Sequence, residues 1–286
     1  MSQAGLYVVA TPIGNLEDIS YRAVRILTEA DLIAAEDTRH SRVLLSHYNI
    51  KTSMLTLHEH NESQVEERLL ARIANGDVIA LISDAGTPLI SDPGYRLVRA
   101  AREAGLPVYS VPGPSALTAA LSVAGLPPDS FVFEGFLPSK SAARIIKLQA
   151  LSRETRTMVF FETSHRIEAA INNMAEIFGG QRLVAVCREL TKIFETVIRA
   201  PLTELRSVLS GDNNQTRGEF VLIVDGYQGN EDEALAGALR IAGVLSEYLP
   251  VSQAARVAAR LGNVSRRAVY QSMNKTTMNE SAGGGQ

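Results

Sequence analysis

Four short, almost wholly apolar runs, set apart by stretches of helical periodicity or turn chemistry, restrict the first part of this chain to a parallel sheet. The runs are Leu6–Ala10, Leu32–Ala35, Val78–Ile82 and Val108–Val111. A strand that is apolar on both sides is buried on both faces, and a strand–helix–strand order brings the chain back parallel. Ile19, Ala23, Ile26 and Leu27 recur at helical spacing over 19–30, and Val65, Leu69, Leu70 and Ile73 over 61–75, closed by Gly76. Asp92-Pro93 predicts a helix start, with Asp92 as cap and Pro93 at the first helical position, and 114–124 predicts another helix.

The texture changes in the second half. Residues 131–133, 157–161, 183–188, 194–199 and 220–224 are β-rich, some too close together for helical crossovers, and 183–199 reads as a hairpin. Helices near 141–151 and 165–177 complete a mixed sheet. The expected class is therefore α/β, with a parallel-sheet subdomain over 1–117 and a mixed-sheet subdomain over 118–228. Acidic, glycine-bearing 227–234 reads as a linker, 235–275 as a small helical module and 276–286 as a disordered tail.

Composition narrows the function classes. With 45% hydrophobic and 21% charged residues among 286, the chain is an ordinary globular one. No window approaches the roughly 20 apolar residues needed to span a bilayer, so no membrane partner is expected. No basic region precedes an apolar stretch at the N-terminus. The single cysteine, Cys187, excludes a disulfide framework and a four-cysteine zinc site and sits in a strand as a core residue. The expected compartment is the cytoplasm. His58 and His60 lack helical i, i+4 spacing and a ligand cluster, so no metal is expected there. Arg256, Arg260, Arg266, Arg267 and Lys275 fall within 251–275, which holds no acid, while the chain as a whole carries a net charge of −3. A basic module on an acidic body points to an anionic partner, with nucleic acid the commonest, although such cations also solvate ordinary helical faces.

In open α/β sheets ligands bind beyond the carboxyl ends of the strands. Three expected strands end in loops rich in glycine and proline: 11–15, 83–94 and 112–116. Glycine admits close backbone approach and proline fixes loop shape, which together favour a preformed pocket. No phosphate-binding G-x-x-x-x-G-K-[ST] is present, no G-x-G-x-x-G follows a strand, and the loops hold few cations. Asp84 and Asp92 suit a ligand with hydroxyls or a positive centre. That profile fits an adenosine-type cofactor without phosphates.

The segments LYVVATPIGNLEDIS, AAEDTRHS, ISDAGTPLISDPGYRLV, VPGPSALTAALSVAGLP, FEGFLP, FFETSHRI and CRELTK occur in this order. Together they closely resemble the bacterial 16S rRNA cytidine-2′-O-methyltransferases of the tetrapyrrole-methylase superfamily, over about residues 5–226. Ala10 departs from the proline usual at that strand end. The resemblance implies an S-adenosylmethionine site in a cleft between the two subdomains, lined by Pro12, Gly14, Asp84, Gly86, Thr87, Pro112, Gly113, Ser115 and Ala116. It also implies a homodimer acting on 16S rRNA in the 30S subunit.

Methyl transfer to a ribose 2′-OH requires alignment of oxygen, methyl and sulfur, and a place for the hydroxyl proton. Asp37 or Glu36 could accept that proton, and Arg39 could hold a phosphate. Glu162 could face them across the cleft, with Arg166 on RNA or paired to Glu162. Lys192 could position the ribose or, if desolvated, act as base. The expected polar wall is thus Glu36, Asp37, Arg39, Glu162 and Lys192. Residues 252–261, 262–263 and 265–273 have helix-turn-helix spacing, which sets Arg266, Arg267 and Tyr270 early on a recognition helix for RNA. Two alternatives stay open: a superfamily member acting on a tetrapyrrole or other small substrate, and a non-enzymatic nucleic-acid-binding protein.

Overall fold

The computed structural model describes residues 2–58, 62–211, 216–229 and 231–282. The chain divides into two compact units, Met1–Gly226 and Tyr227–Gln286. The first holds two five-stranded sheets.

In the first sheet β1 (Gly5–Val9), β2 (Leu32–Ala35), β3 (Met54–Thr56), β4 (Val78–Ile82) and β5 (Val108–Val111) run in the order β3-β2-β4-β1-β5, and every pair is parallel. Alternate residues of these apolar strands serve opposite faces. Val9, Ile33, Ala35 and Ile82 pack with Ile26, Leu27, Leu44 and Leu45 from helices α1 (Tyr21–Glu29) and α2 (Thr38–His47). Leu6, Ala34, Ile79 and Leu81 pack with Leu69, Ile73, Leu97 and Ala101 from α3 (Glu62–Ala74) and α4 (Tyr95–Glu103). The two-sided apolar runs are thus explained by helices on both faces.

Two local readings need correction. Helix α4 starts at Tyr95 with Gly94 as its N-cap, in the left-handed region at φ 114°, and not at Asp92-Pro93. The carboxyl of Asp92 is instead turned toward a cleft described below. Asp37, read as a possible proton acceptor, is instead the N-cap of helix α2, its side chain accepting from the Arg39 N–H.

Helix α5 (Ala116–Val123) leads into the second sheet, formed by β6 (Phe131–Phe136), β7 (Thr157–Thr163), β8 (Leu183–Arg188), β9 (Thr196–Pro201) and β10 (Glu219–Val224). Their order is β6-β7-β10-β8-β9, with β6 and β7 parallel and all other pairs antiparallel, so the sheet is mixed and β8–β9 is the expected hairpin. One face packs on α6 (Ser141–Leu151), α7 (Ile167–Phe178) and α8 (Leu202–Gly211), through Leu148, Phe160, Ile171, Leu205 and Leu222. The other face meets Ala120 of α5, its C-cap Ala124 and Ile13 from the loop after β1.

The second unit consists of α9 (Glu231–Ser246), α10 (Val251–Leu261) and α11 (Arg266–Ala282). Its core is Ala238, Ala242, Ala255, Ala258, Ala259 and Val269. Alanine side chains let the helices approach closely: a Cβ on Gly262 would stand 2.9 Å from that of Ala238. Helix α9 starts inside the expected linker. Helix α11 runs to Ala282, so 276–282 are helical where a tail was expected, and 283–286 lie outside the described residues. Among the described residues no helix is long and apolar enough to cross a membrane.

Candidate active site

Because β1 and β4 are central neighbours, their following loops emerge side by side. Thr11 and Gly86 exchange both backbone hydrogen bonds, at 2.9 and 3.0 Å. The Thr87 hydroxyl donates to the Pro114 carbonyl at 3.1 Å, and Gly113 lies against Ala10, where an added Cβ would come within 3.1 Å of the alanine methyl. The three glycine- and proline-rich loops are therefore one stitched surface.

That surface forms one side of a cleft of about 310 Å³. Asp84, Gly86, Thr87, Ser115 and Ala116 line it, with Glu36, Ile13, Ser91 and Asp92. Pro12, Gly14, Pro112 and Gly113 are not among the lining residues; they shape the loops behind it. The opposite wall comes from the second sheet. Phe136, Phe161, Val221 and Cys187 are register neighbours across β6, β7, β10 and β8, and all four line the cleft. Burial pushes the Cys187 thiol up to about 12, with the Glu195 charge adding to it, so it stays a protonated core group.

The polar wall divides. Glu36 lines the cleft and accepts from the Asp84 N–H at 3.4 Å, while Asp84 accepts from the Asp37 N–H at 3.1 Å. Asp92 joins this acidic group. Burial raises its carboxyl from 3.8 to about 6, opposed by a Ser83 hydrogen bond and reinforced by the charges of Glu36 and Asp84. Asp37 does not suit a proton acceptor. Its carboxylate takes hydrogen bonds from the Arg39 side chain at 2.7 and 3.1 Å and from the Arg39 N–H at 2.8 Å, which hold it well below the usual range. Arg39 is otherwise exposed.

Glu162 also borders the cleft, but its carboxylate is fully buried and already engaged. Arg166 lies 2.9 Å from one oxygen and donates to the other at 3.1 Å, and the Thr163 N–H donates at 2.8 Å. Arg166 donates as well to the Leu137 carbonyl. The pair ties β7 to the start of α7, which leaves neither group as a ready acid or base.

Lys192 lies on the β8–β9 loop and its ammonium donates to Glu189 and Glu219, each at 2.8 Å. Burial disfavours its charge, but these hydrogen bonds and the two acidic charges outweigh that and raise it above 10.5. Lys192 is therefore a cation and not a desolvated base. Its loop meets the first: the Asn15 N–H donates to the Thr191 hydroxyl at 3.1 Å. Left-handed φ angles at Leu89, Ser91, Glu189 and Thr191 concentrate backbone strain in two loops that contribute Ser91 and Leu190 to the cleft.

Leu190, Glu219 and the aromatic pair Phe136 and Phe161 were missed as site residues. The motifs CRELTK, FEGFLP and FFETSHRI held the signal for Leu190, Phe136 and Phe161, whereas Glu219 depended on sheet register. Among the described residues no group of three or more His, Cys, Asp or Glu could hold a metal; His60 lies outside them. In the second unit Arg256, Arg260, Arg266, Arg267 and Tyr270 are exposed on α10 and α11.

A family model described as Tetrapyrrole (Corrin/Porphyrin) Methylases matches residues 5–206, and one described as RsmI C-terminal HTH domain matches 232–273. The chain is 52% identical over 271 residues to the Ribosomal RNA small subunit methyltransferase I of Xylella fastidiosa (strain Temecula1), covering 94% of this chain and 99% of that one. It is 50% identical over 273 residues to the protein of the same name in Pseudomonas aeruginosa, covering 95% and 97%. Among solved structures, cobalt precorrin-4 methyltransferase matches with a TM-score of 0.58 at 17% identity, over 77% of this chain and 94% of that chain. Diphthine synthase matches with a TM-score of 0.57 at 15% identity, over 77% and 89%. At such identities the likeness concerns the fold, whereas the near-full-length relatives concern the whole chain. The chain belongs to the tetrapyrrole methylase family, within its ribosomal RNA small subunit methyltransferase I branch.

Proposed function

We propose that this protein methylates the ribose 2′-hydroxyl of a cytidine in 16S rRNA of the small ribosomal subunit, with S-adenosylmethionine as donor. The observation that carries the reading is the cleft itself, in which stitched glycine- and proline-rich loops face an apolar wall across an acidic cluster. The curated relatives, named as ribosomal RNA small subunit methyltransferases, supply the substrate class.

The residues present fit the donor. The cleft has the size of a small-molecule site. Its apolar wall suits a nucleoside ring, and Glu36, Asp84 and Asp92 suit ribose hydroxyls and a cationic centre. When bound, the donor supplies an electrophilic methyl on a sulfonium. Asp92, held near 6, is the cleft carboxylate whose proton affinity suits a base at neutral pH. Lys192 brings a fixed positive charge for the ribose–phosphate of the acceptor.

The subdomains 1–117 and 118–228 contribute one wall each in this reading, and the basic module over 235–275 docks RNA through Arg266 and Arg267. A homodimer, expected from the family resemblance, belongs to the same proposal and is tested by sedimentation.

The test is transfer of labelled methyl from S-adenosylmethionine to 30S subunits lacking the modification, followed by nucleoside analysis. Labelled 2′-O-methylcytidine is the expected product. Binding of the donor without labelling of 30S subunits, 70S ribosomes or free rRNA would overturn the acceptor.

A further inference from the structure

We propose that Phe136 is the platform on which the base of the methyl-accepting nucleotide stacks, an inference that rests on the RNA reading above. Strand β6 is an edge strand, and its pairing with β7 is interrupted: Phe133 opposes Val159, but Gly135 opposes Phe160 and Phe136 opposes Phe161. Without the inserted residue Phe136 would lie opposite Glu162 and share the face that packs on α6–α8. A one-residue shift exchanges the faces of a strand, and bulges re-aim side chains beside active sites. Here the bulge turns Phe136 onto the cleft face, in line with Phe133 and Phe161.

The backbone is built for this placement. Gly135 has φ 65°, and a Cβ there would come within 3.3 Å of the Ser91 hydroxyl, itself on a residue at φ 68°. Phe136 packs edge-to-face on Phe161, with centroids 5.6 Å apart, and Phe161 packs likewise on Phe133 at 4.9 Å. The supported ring is nevertheless 51% exposed. Core packing alone does not account for a large aromatic turned away from the helix-covered face and left half in water.

An acceptor nucleotide accounts for it. A ribose whose 2′-hydroxyl enters the cleft brings its base along one glycosidic bond away, and that base leaves its own stack to get there. Bases displaced in this way regain stacking on aromatic side chains. Phe136, on an edge strand and partly in solvent, is a cleft aromatic reachable by a substrate as large as RNA. The competing occupant is the adenine of the donor, and the experiment separates the two.

Phe136→Ala, Phe136→Leu, Phe136→Tyr and Phe136→Trp are compared in the full chain. The readouts are methyl transfer to unmodified 30S subunits and calorimetric binding of S-adenosylhomocysteine. Loss of one base–aromatic stack predicts about a tenfold or greater fall in kcat/KM for 30S with Ala and Leu, and a fall of less than about threefold with Tyr and Trp. The Kd for S-adenosylhomocysteine should stay within about twofold of wild type throughout. A loss of S-adenosylhomocysteine affinity that matches the loss of activity assigns the ring to the donor and overturns the proposal. So does Leu performing as well as Tyr, or unchanged transfer in all four variants. A wild-type chain that binds S-adenosylhomocysteine but methylates no ribosomal substrate overturns the RNA reading and this proposal with it; an active wild type with unaffected variants overturns this proposal alone.

Discussion

Gly14 abuts Lys192: a Cβ added to Gly14 would run into the lysine Cγ and stand 2.9 Å from the Thr191 hydroxyl. The loop after β1 and the β8–β9 loop are therefore pressed together, and glycine is what permits it. Gly14→Ala should displace the Lys192 loop and lower kcat/KM for methyl transfer roughly 10- to 100-fold, as expected when reacting groups are misplaced by about an ångström. The melting temperature should fall as well, because Ile13 and Leu190 on these same two loops belong to the core of the second sheet. Wild-type activity in this variant would show that the contact yields without consequence.

Lys192 should show its charge in the pH profile. With its ammonium stabilised by Glu189 and Glu219, it is protonated through neutral and mildly alkaline pH. A raised lysine contributes stability that is present below the ordinary lysine range and lost as pH rises through its folded value. Between pH 7 and 9 kcat/KM should therefore show no limb that Lys192→Arg removes. Lys192→Met should lose activity and leave two acids without their shared cation, whereas Arg should retain a substantial part.

Asp92 titrates in the opposite sense from a salt-bridged acid. Its folded value of about 6 lies above the ordinary 3.8, so the folded state holds the proton more tightly. Its contribution to stability falls as pH rises from about 4 to about 6 and is level beyond. Asp92→Asn should accordingly raise the melting temperature at pH 7.5 and leave it nearly unchanged at pH 4. The same substitution should flatten the loss of methyl transfer expected below pH 6, where the wild-type carboxyl is protonated. Matching acid limbs in wild type and variant would remove Asp92 from the chemistry.

Arg166 and Glu162 form a pair whose carboxylate side is fully buried. Removing one partner of such a pair leaves an uncompensated charge, so Arg166→Ala should cost about 3–5 kcal/mol in denaturant unfolding. Glu162→Gln, which keeps shape and hydrogen-bonding capacity, should cost less. A stable Arg166→Ala variant with weakened RNA binding would instead place the arginine on the substrate.

Arg266 and Arg267 are exposed at the start of α11. If they meet phosphates, the double glutamate variant should weaken binding to 30S subunits. It should also make the slope of log affinity against log salt shallower by about 1.5. Affinity for S-adenosylhomocysteine should not change. An unaltered salt slope would return these cations to plain solvation of a helix.

The apolar runs Leu32–Ala35, Val78–Ile82 and Val108–Val111 coincide with β2, β4 and β5 residue for residue, and Leu183–Arg188 with β8. Burial on both faces leaves a pattern within the strand itself, so it can be read locally. Short β3, only half buried, left no such pattern. Helix α8 carries one at helical spacing, in Leu202, Leu205 and Leu209. The start of α4 failed for a different reason. Asp92 has the form of a helix cap, but its side chain lies in the cleft and Gly94 makes the turn instead.

The amino-acid sequence by itself determined the alternation of strands and helices, the three glycine- and proline-rich loops and the basic helical end, because each is written in neighbouring residues. Whether a given acid lines the cleft, caps a helix or joins an ion pair depends on burial and side-chain direction as well as on its neighbours in the chain. Asp37 and Glu36 are adjacent, yet one is bound to Arg39 while the other lines the cleft beside Asp84 and Asp92. Lys192 owes its raised proton affinity partly to Glu219, which lies 27 residues away. Phe136 reaches the cleft through a bulge in β6, which resets the register against β7. These assignments belong to the tertiary structure, since proton affinity and side-chain direction are set by burial, charge and register that only the folded chain brings together.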